Sequence, residues 1–121
     1  METYDLESAE DMHEAHPDTF DILPLEERRD LAVGQSVKLC FLPHKQRGKF
    51  SVPERMWVNI THVVKAGGNV NYMGRLDSNP LTVRVRYKDE IVFGPENVFS
   101  IFNADDARGF NVVRASKVAK A

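Results

Sequence analysis

Arg55-Met56-Trp57-Val58-Asn59-Ile60-Thr61 is the stretch whose pattern decides the fold. Successive strand side chains point to opposite faces, so Met56, Val58 and Ile60 share one face and Trp57, Asn59 and Thr61 the other. The first set reads as core and the stretch as a central strand. Val63 and Val64 extend its β-branched character, and Lys65-Ala66-Gly67-Gly68-Asn69 then supplies the positive-φ residues that a tight hairpin needs. A second strand, Val70 to Leu76, is therefore expected to fold back antiparallel. Trp57, the only tryptophan, falls on the more polar face. There it covers the flank of its own fold, anchors a neighbouring segment, or docks a partner.

Working outward toward the amino terminus, Pro43 to Pro53 interrupts the pattern. The loop concentrates Lys45, Arg47 and Lys49 with His44 and Phe50, a composition suited either to a solvated connection or to contact with phosphate or an acidic surface. Before it, Val37, Leu39 and Phe41 alternate with Lys38 and Cys40 and predict a strand from Ser36 to Leu42. Pro24, followed by Glu26 and Glu27, predicts a short helix to about Leu31, with Gly34 as a stop. Ser8, three residues before Asp11, reads as the cap of a helix from Ala9 to His16 that Pro17 ends. His13 and His16 share a face of that helix. Their spacing is not that of the zinc-protease motif and no third ligand is evident, so no metal is assigned.

Toward the carboxyl terminus, Asp77-Ser78-Asn79-Pro80 is turn chemistry. Leu81, Val83, Val85 and Tyr87 then interleave with Thr82, Arg84, Arg86 and Lys88, predicting a strand with one apolar face and one basic face. Ile91 to Phe93 begins another short strand, and Val98 to Phe102 is expected to close the sheet. His62 follows Ile60 on the apolar face unless a bulge intervenes. Glu54, Asp77 and Glu96 lie beside turns, where carboxylates have local structural uses.

The 121 residues are expected to form a single domain, 1–121, with an acidic segment at 1–15 and a carboxy-terminal tail at 104–121. Residues 1–31 hold eleven acids against two arginines, whereas the remainder holds seven acids against fourteen lysines and arginines, for a net charge of −2. The acidic segment keeps the chain soluble, pairs with the basic body, or shields a basic face until a partner displaces it. The single cysteine fits a reducing compartment, and Cys40 reads as a small structural residue because no base is placed around it. No apolar run is long enough to span a membrane and no secretory signal pattern is present, which together predict a cytoplasmic protein. The chain carries no phosphate-cradling glycine loop, CxxC pair or nucleophile elbow.

His16-Pro17-Asp18-Thr19-Phe20, Val33-Gly34-Gln35-Ser36-Val37-Lys38-Leu39, Glu54-Arg55-Met56-Trp57-Val58 with Thr61, Gly74-Arg75-Leu76-Asp77-Ser78-Asn79-Pro80 and Val92-Phe93-Gly94-Pro95-Glu96 form a series. Over residues 16–102 it resembles a family of small bacterial and phage proteins of unknown function. The resemblance implies a compact α+β domain with a strongly curved sheet and carries over no catalytic or binding residue. Gln35-Ser36 replaces the Gly-Asp usual after that turn, and the loop from Lys45 to Lys49 and the carboxy-terminal extension are particular to this chain.

The expected fold is α+β: short N-terminal helices followed by a curved, mostly antiparallel, partly closed barrel-like sheet of five to six strands. The expected function is a non-catalytic binding protein that presents a surface to a protein partner. An immunity or host-defence inhibitor role is what the resemblance implies. The partner-binding candidates are Lys45, Arg47, Lys49, Phe50, Trp57, Arg84, Arg86 and Lys88, with no catalytic residue, metal or cofactor. The alternative is a nucleic-acid-binding small β-barrel domain using Arg84, Arg86 and Lys88 with the Lys45–Lys49 loop.

Overall fold

In the computed structural model, which describes residues 4–43, 52–81, 83 and 85–102, strand β1 (Tyr4–Leu6) precedes two short helices, α1 (Ala9–Ala15) and α2 (Leu25–Arg29). Strands β2 (Ser36–Pro43), β3 (Glu54–Ala66), β4 (Asn69–Leu76) and β5 (Glu90–Phe93) follow, then a 3-10 turn (Pro95–Asn97) and a short β6 (Ser100–Ile101). The sheet is antiparallel in the order β1-β2-β3-β4-β5, and β6 pairs with β2. It curls into a half-barrel, so the architecture is α+β. Strand β1 was not expected from the sequence. Strand β6 does not close the sheet: it lies against Val37 and Lys38, while β1 lies against Phe41, Leu42 and Pro43 of the same strand.

Alternation on the central strands produces the core. Val37, Leu39, Phe41, Val58 and Ile60 are fully buried, as is Met56 but for 4 %, and the register sets Val37 opposite Val58 and Leu39 opposite Met56. On β4, Val70, Tyr72, Gly74 and Leu76 face the same interior, joined by Ile91 and Phe93 of β5. Full burial of one such aliphatic side chain is worth about 1.5–3 kcal/mol. Tyr72 stacks on Phe93 with centroids 5.3 Å apart. Its hydroxyl donates to Arg28 O at 2.7 Å and accepts from Leu31 N at 3.3 Å, which ties the end of α2 to the mouth of the half-barrel.

Cys40 points to the opposite face of β2, as its place in the alternation predicts, yet it is buried as well. Helix α1 and residues 20–22 cover that face, so Ala9, Phe99 and Cys40 form a second cluster with Met12, Phe20, Ile22 and Leu42. Ser8 Oγ accepts from Asp11 N at 3.1 Å, the cap expected at the start of α1. The β3–β4 turn has positive φ at Gly67 and Gly68. One residue is inserted between Ile60 and His62, where the register with β4 slips. This bulge turns His62 out of the apolar face into solvent.

The strand expected from Leu81 to Lys88 is not seen among the described residues. The described residues of this span make bends and turns: Val85 N bonds Val83 O at 2.9 Å, Asp89 N bonds Arg86 O at 2.9 Å, and Lys88 has φ of 77°. Two long-range competitors explain the difference. The edge of β4 from Tyr72 to Arg75 is taken by β5. The Glu54 carboxylate accepts from Leu81 N at 2.9 Å and Val83 N at 2.8 Å, satisfying donors that a ladder would otherwise use. The Glu54 carboxylate thus clamps this loop, the local structural use expected for a turn position.

Candidate functional site

Trp57 lies on the outer face of β3, directly opposite Lys38 on β2. The strand is fixed at this point from its other edge, since Trp57 N donates to Ser78 Oγ at 3.0 Å and Trp57 O accepts from Asp77 N at 2.9 Å. The indole is partly buried. It meets Phe102 edge to face, with centroids 5.8 Å apart and planes at 87°, and Lys38 Nζ sits 4.9 Å from its ring centre. Phe102 is itself 50 % exposed, held by its backbone N–H on Ser36 O at 2.8 Å. Two register pairs along, Arg55 stands opposite Cys40 and places its guanidinium 5.1 Å from the Phe99 ring centre. Two exposed or partly buried aromatic rings and two cations therefore share one patch of sheet.

Of the sequence candidates among the described residues, this patch contains Trp57 alone. Lys45, Arg47, Lys49, Phe50 and Arg84 lie outside the described residues. Arg86 and Lys88 are not on a basic ribbon, because no strand carries them. Arg86 Nε lies 3.7 Å from Asp89 Oδ1, and Lys88 Nζ rests 5.5 Å from the centre of the neighbouring Tyr87 ring. The candidates missed, Lys38, Arg55 and Phe102, have different origins. Lys38 and Arg55 follow once the β2–β3 register is known. Phe102 reaches Trp57 only because β6 returns to β2, and nothing local signals that.

Two further arrangements bear on chemistry. Thr61 Oγ1 donates to Met73 O at 3.1 Å, so its lone pair accepts from His62 Nδ1 at 2.9 Å. This holds neutral His62 in the Nδ1–H form and leaves Nε2 as the basic nitrogen on an exposed surface. Arg28, 4 % exposed, donates from Nε to Leu23 O at 2.8 Å and from Nη1 to Glu10 Oε2 at 2.9 Å and Pro95 O at 3.0 Å, stapling α1, α2 and the 3-10 turn together. Between α2, the β3–β4 hairpin and that turn runs a groove of about 500 Å³.

Burial in the second cluster pushes the Cys40 thiol above its ordinary value, and the nearby Glu7 carboxylate adds to the effect. Among the described residues no group of three or more His, Cys, Asp or Glu is placed to hold a metal ion, and no helix is long and apolar enough to cross a membrane. Comparison with protein-family models, curated proteins and solved structures finds no match.

Proposed function

We propose that this chain is a non-catalytic binding protein that presents the outer sheet face around Trp57 to a protein partner. The observation that carries the reading is the Trp57–Phe102 pair, with Phe102 half exposed and Lys38 over the indole, while Arg55 on the same strand sits over the buried Phe99 ring. Large aromatic rings and arginine are enriched among the contacts that dominate protein interfaces, where single truncations cost about 2 kcal/mol or more. A central strand bonded on both edges keeps the indole backbone in place before the partner arrives, which lowers the ordering cost of binding. A bacterial or phage setting, with an immunity or host-defence inhibitor role, extends the same reading and rests on the family resemblance; a cytoplasmic location rests on the single cysteine and the sequence pattern.

Nucleic acid is the competing occupant of a face that joins cations to aromatic rings. Apolar exposure on this face favours protein: Phe102 is 50 % open to solvent against the indole. The test is a pulldown from bacterial lysate, with and without nuclease, using the native chain and a Phe102→Ser variant checked for folding. A protein that is retained after nuclease, holds through moderate salt and is lost with Phe102→Ser is the expected outcome. Recovery of nucleic acid alone, removed by nuclease and by a modest rise in salt, would overturn the reading.

A further inference from the structure

Strand β4 is longer than the strand beside it. It runs Asn69–Leu76, whereas β5 pairs only with Tyr72 to Arg75, so among the described residues Asn69, Val70 and Asn71 have no strand on that side. The hairpin decides which backbone groups face the open lane. A two-residue Gly67-Gly68 turn makes Ala66 and Asn69 a hydrogen-bonded pair, so Lys65 and Val70 form the next, non-bonded pair. The N–H and C=O of Val70 consequently point away from β3. Beyond Phe93 the chain leaves this lane through Gly94 and Pro95, and Pro95 has no N–H to offer.

The lane opens into the groove of about 500 Å³ described above. Its apolar lining is Val70 with Leu25, which is 47 % exposed. Its charged lining is Glu10, Glu96 and Arg29. Arg29 Nη2 is already bonded to Gly68 O at 2.7 Å. Glu96 is exposed, and Glu10 keeps 48 % side-chain exposure while holding Arg28. The groove thus offers a strand edge, an apolar contact and the exposed Glu96 carboxylate, with Glu10 shared with Arg28 beside it.

We propose that this groove accepts an extended segment of a partner protein, carrying lysine or arginine, as an added short strand beside Asn69–Asn71. An unpaired edge is a template for strand addition, in which main-chain bonds hold the peptide and alternate side chains select it. Three residues of added strand span about 10 Å at roughly 3.3 Å each. One side chain lies over Val70 and Leu25, and a cation at the end nearest the 3-10 turn meets Glu10 and Glu96. The site is separate from the Trp57 face and does not depend on it.

The test titrates a capped hexapeptide of alternating valine and lysine into the full chain and follows amide exchange by NMR, with glutamate in place of lysine as the control peptide. In the free protein Val70 exchanges fast while Tyr72, bonded to β5, exchanges slowly. The lysine peptide at about ten times its Kd slows Val70 exchange about 10-fold, and the glutamate peptide does not. Glu96→Lys, checked for folding by its thermal midpoint, reverses the preference. Absence of binding, binding that leaves Val70 exchange unchanged, or equal binding of the two peptides would each overturn the proposal.

Discussion

Gly74→Ala tests the β3–β4 packing at one atom. Gly74 is buried opposite Ile60, and a Cβ added there meets Val58 Cγ1 at 2.5 Å and Asn59 O at 2.7 Å. Both distances are about 1 Å inside ordinary contact. The first obstacle is a side chain packed in the core; the second is backbone of the pairing strand and has no rotamer to change. Overpacking costs typically 1–3 kcal/mol, and the lost freedom of the unfolded glycine returns at most about 1 kcal/mol. The rigid obstacle puts the net loss at about 2 kcal/mol, a fall in Tm of roughly 8–10 °C for a chain of this size. Removing the Val58 methyls relieves only the side-chain half of the clash. In a urea-unfolding cycle the Val58→Ala/Gly74→Ala double variant therefore loses less than the sum of the singles, by about 1 kcal/mol, yet stays less stable than Val58→Ala. A Gly74→Ala variant within about 0.5 kcal/mol of the native chain would refute the close approach of the two strands.

Arg28→Met removes three donated bonds from a buried guanidinium and leaves Leu23 O and Pro95 O without it, for an expected loss of about 3 kcal/mol in urea unfolding. Glu54→Ala frees the loop after β4: stability falls by about 2 kcal/mol, and the amides of Leu81 and Val83 lose exchange protection ahead of the sheet. Burial raises the Cys40 thiol above its ordinary 9.0, with Glu7 adding to the effect, and raises the Tyr72 phenol above its ordinary 10.0 against the opposing hydrogen bond from Leu31 N. Above pH 9 the unfolded chain releases protons that the folded chain retains, so stability is intact below that pH and falls as pH rises through it. Urea midpoints measured from pH 8 to 11 should decline, with the onset moved to higher pH in Cys40→Ala.

The hairpin at the centre of the fold was legible because its determinants are local: Met56, Val58 and Ile60 alternate, and Gly67-Gly68 follows at strand distance. Leu81 to Lys88 alternates as regularly, yet its described residues form no strand. Alternation describes which side chains a strand would bury, not whether a neighbouring edge is free to pair with it. Here β5 holds the β4 edge, and the Glu54 carboxylate, far away in sequence, holds the loop backbone. The same limit applies to the candidate site. Trp57 stood out as the single tryptophan, whereas its companions come from register, in Lys38 and Arg55, and from the return of β6, in Phe102. Strand β1 and the Arg28 staple are tertiary in the same sense, each held by residues distant in the chain.

Because the chain has one tryptophan, 5-fluorotryptophan labelling gives a single ¹⁹F resonance that reports on the proposed contact alone. The decisive measurement is the change in that resonance when the nuclease-resistant partner from the pulldown is added. The account predicts a shifted, broadened line with loss of solvent-isotope sensitivity, abolished by Phe102→Ser. A line that stays unchanged while the partner is bound would place the contact elsewhere and contradict the assignment of the Trp57 face.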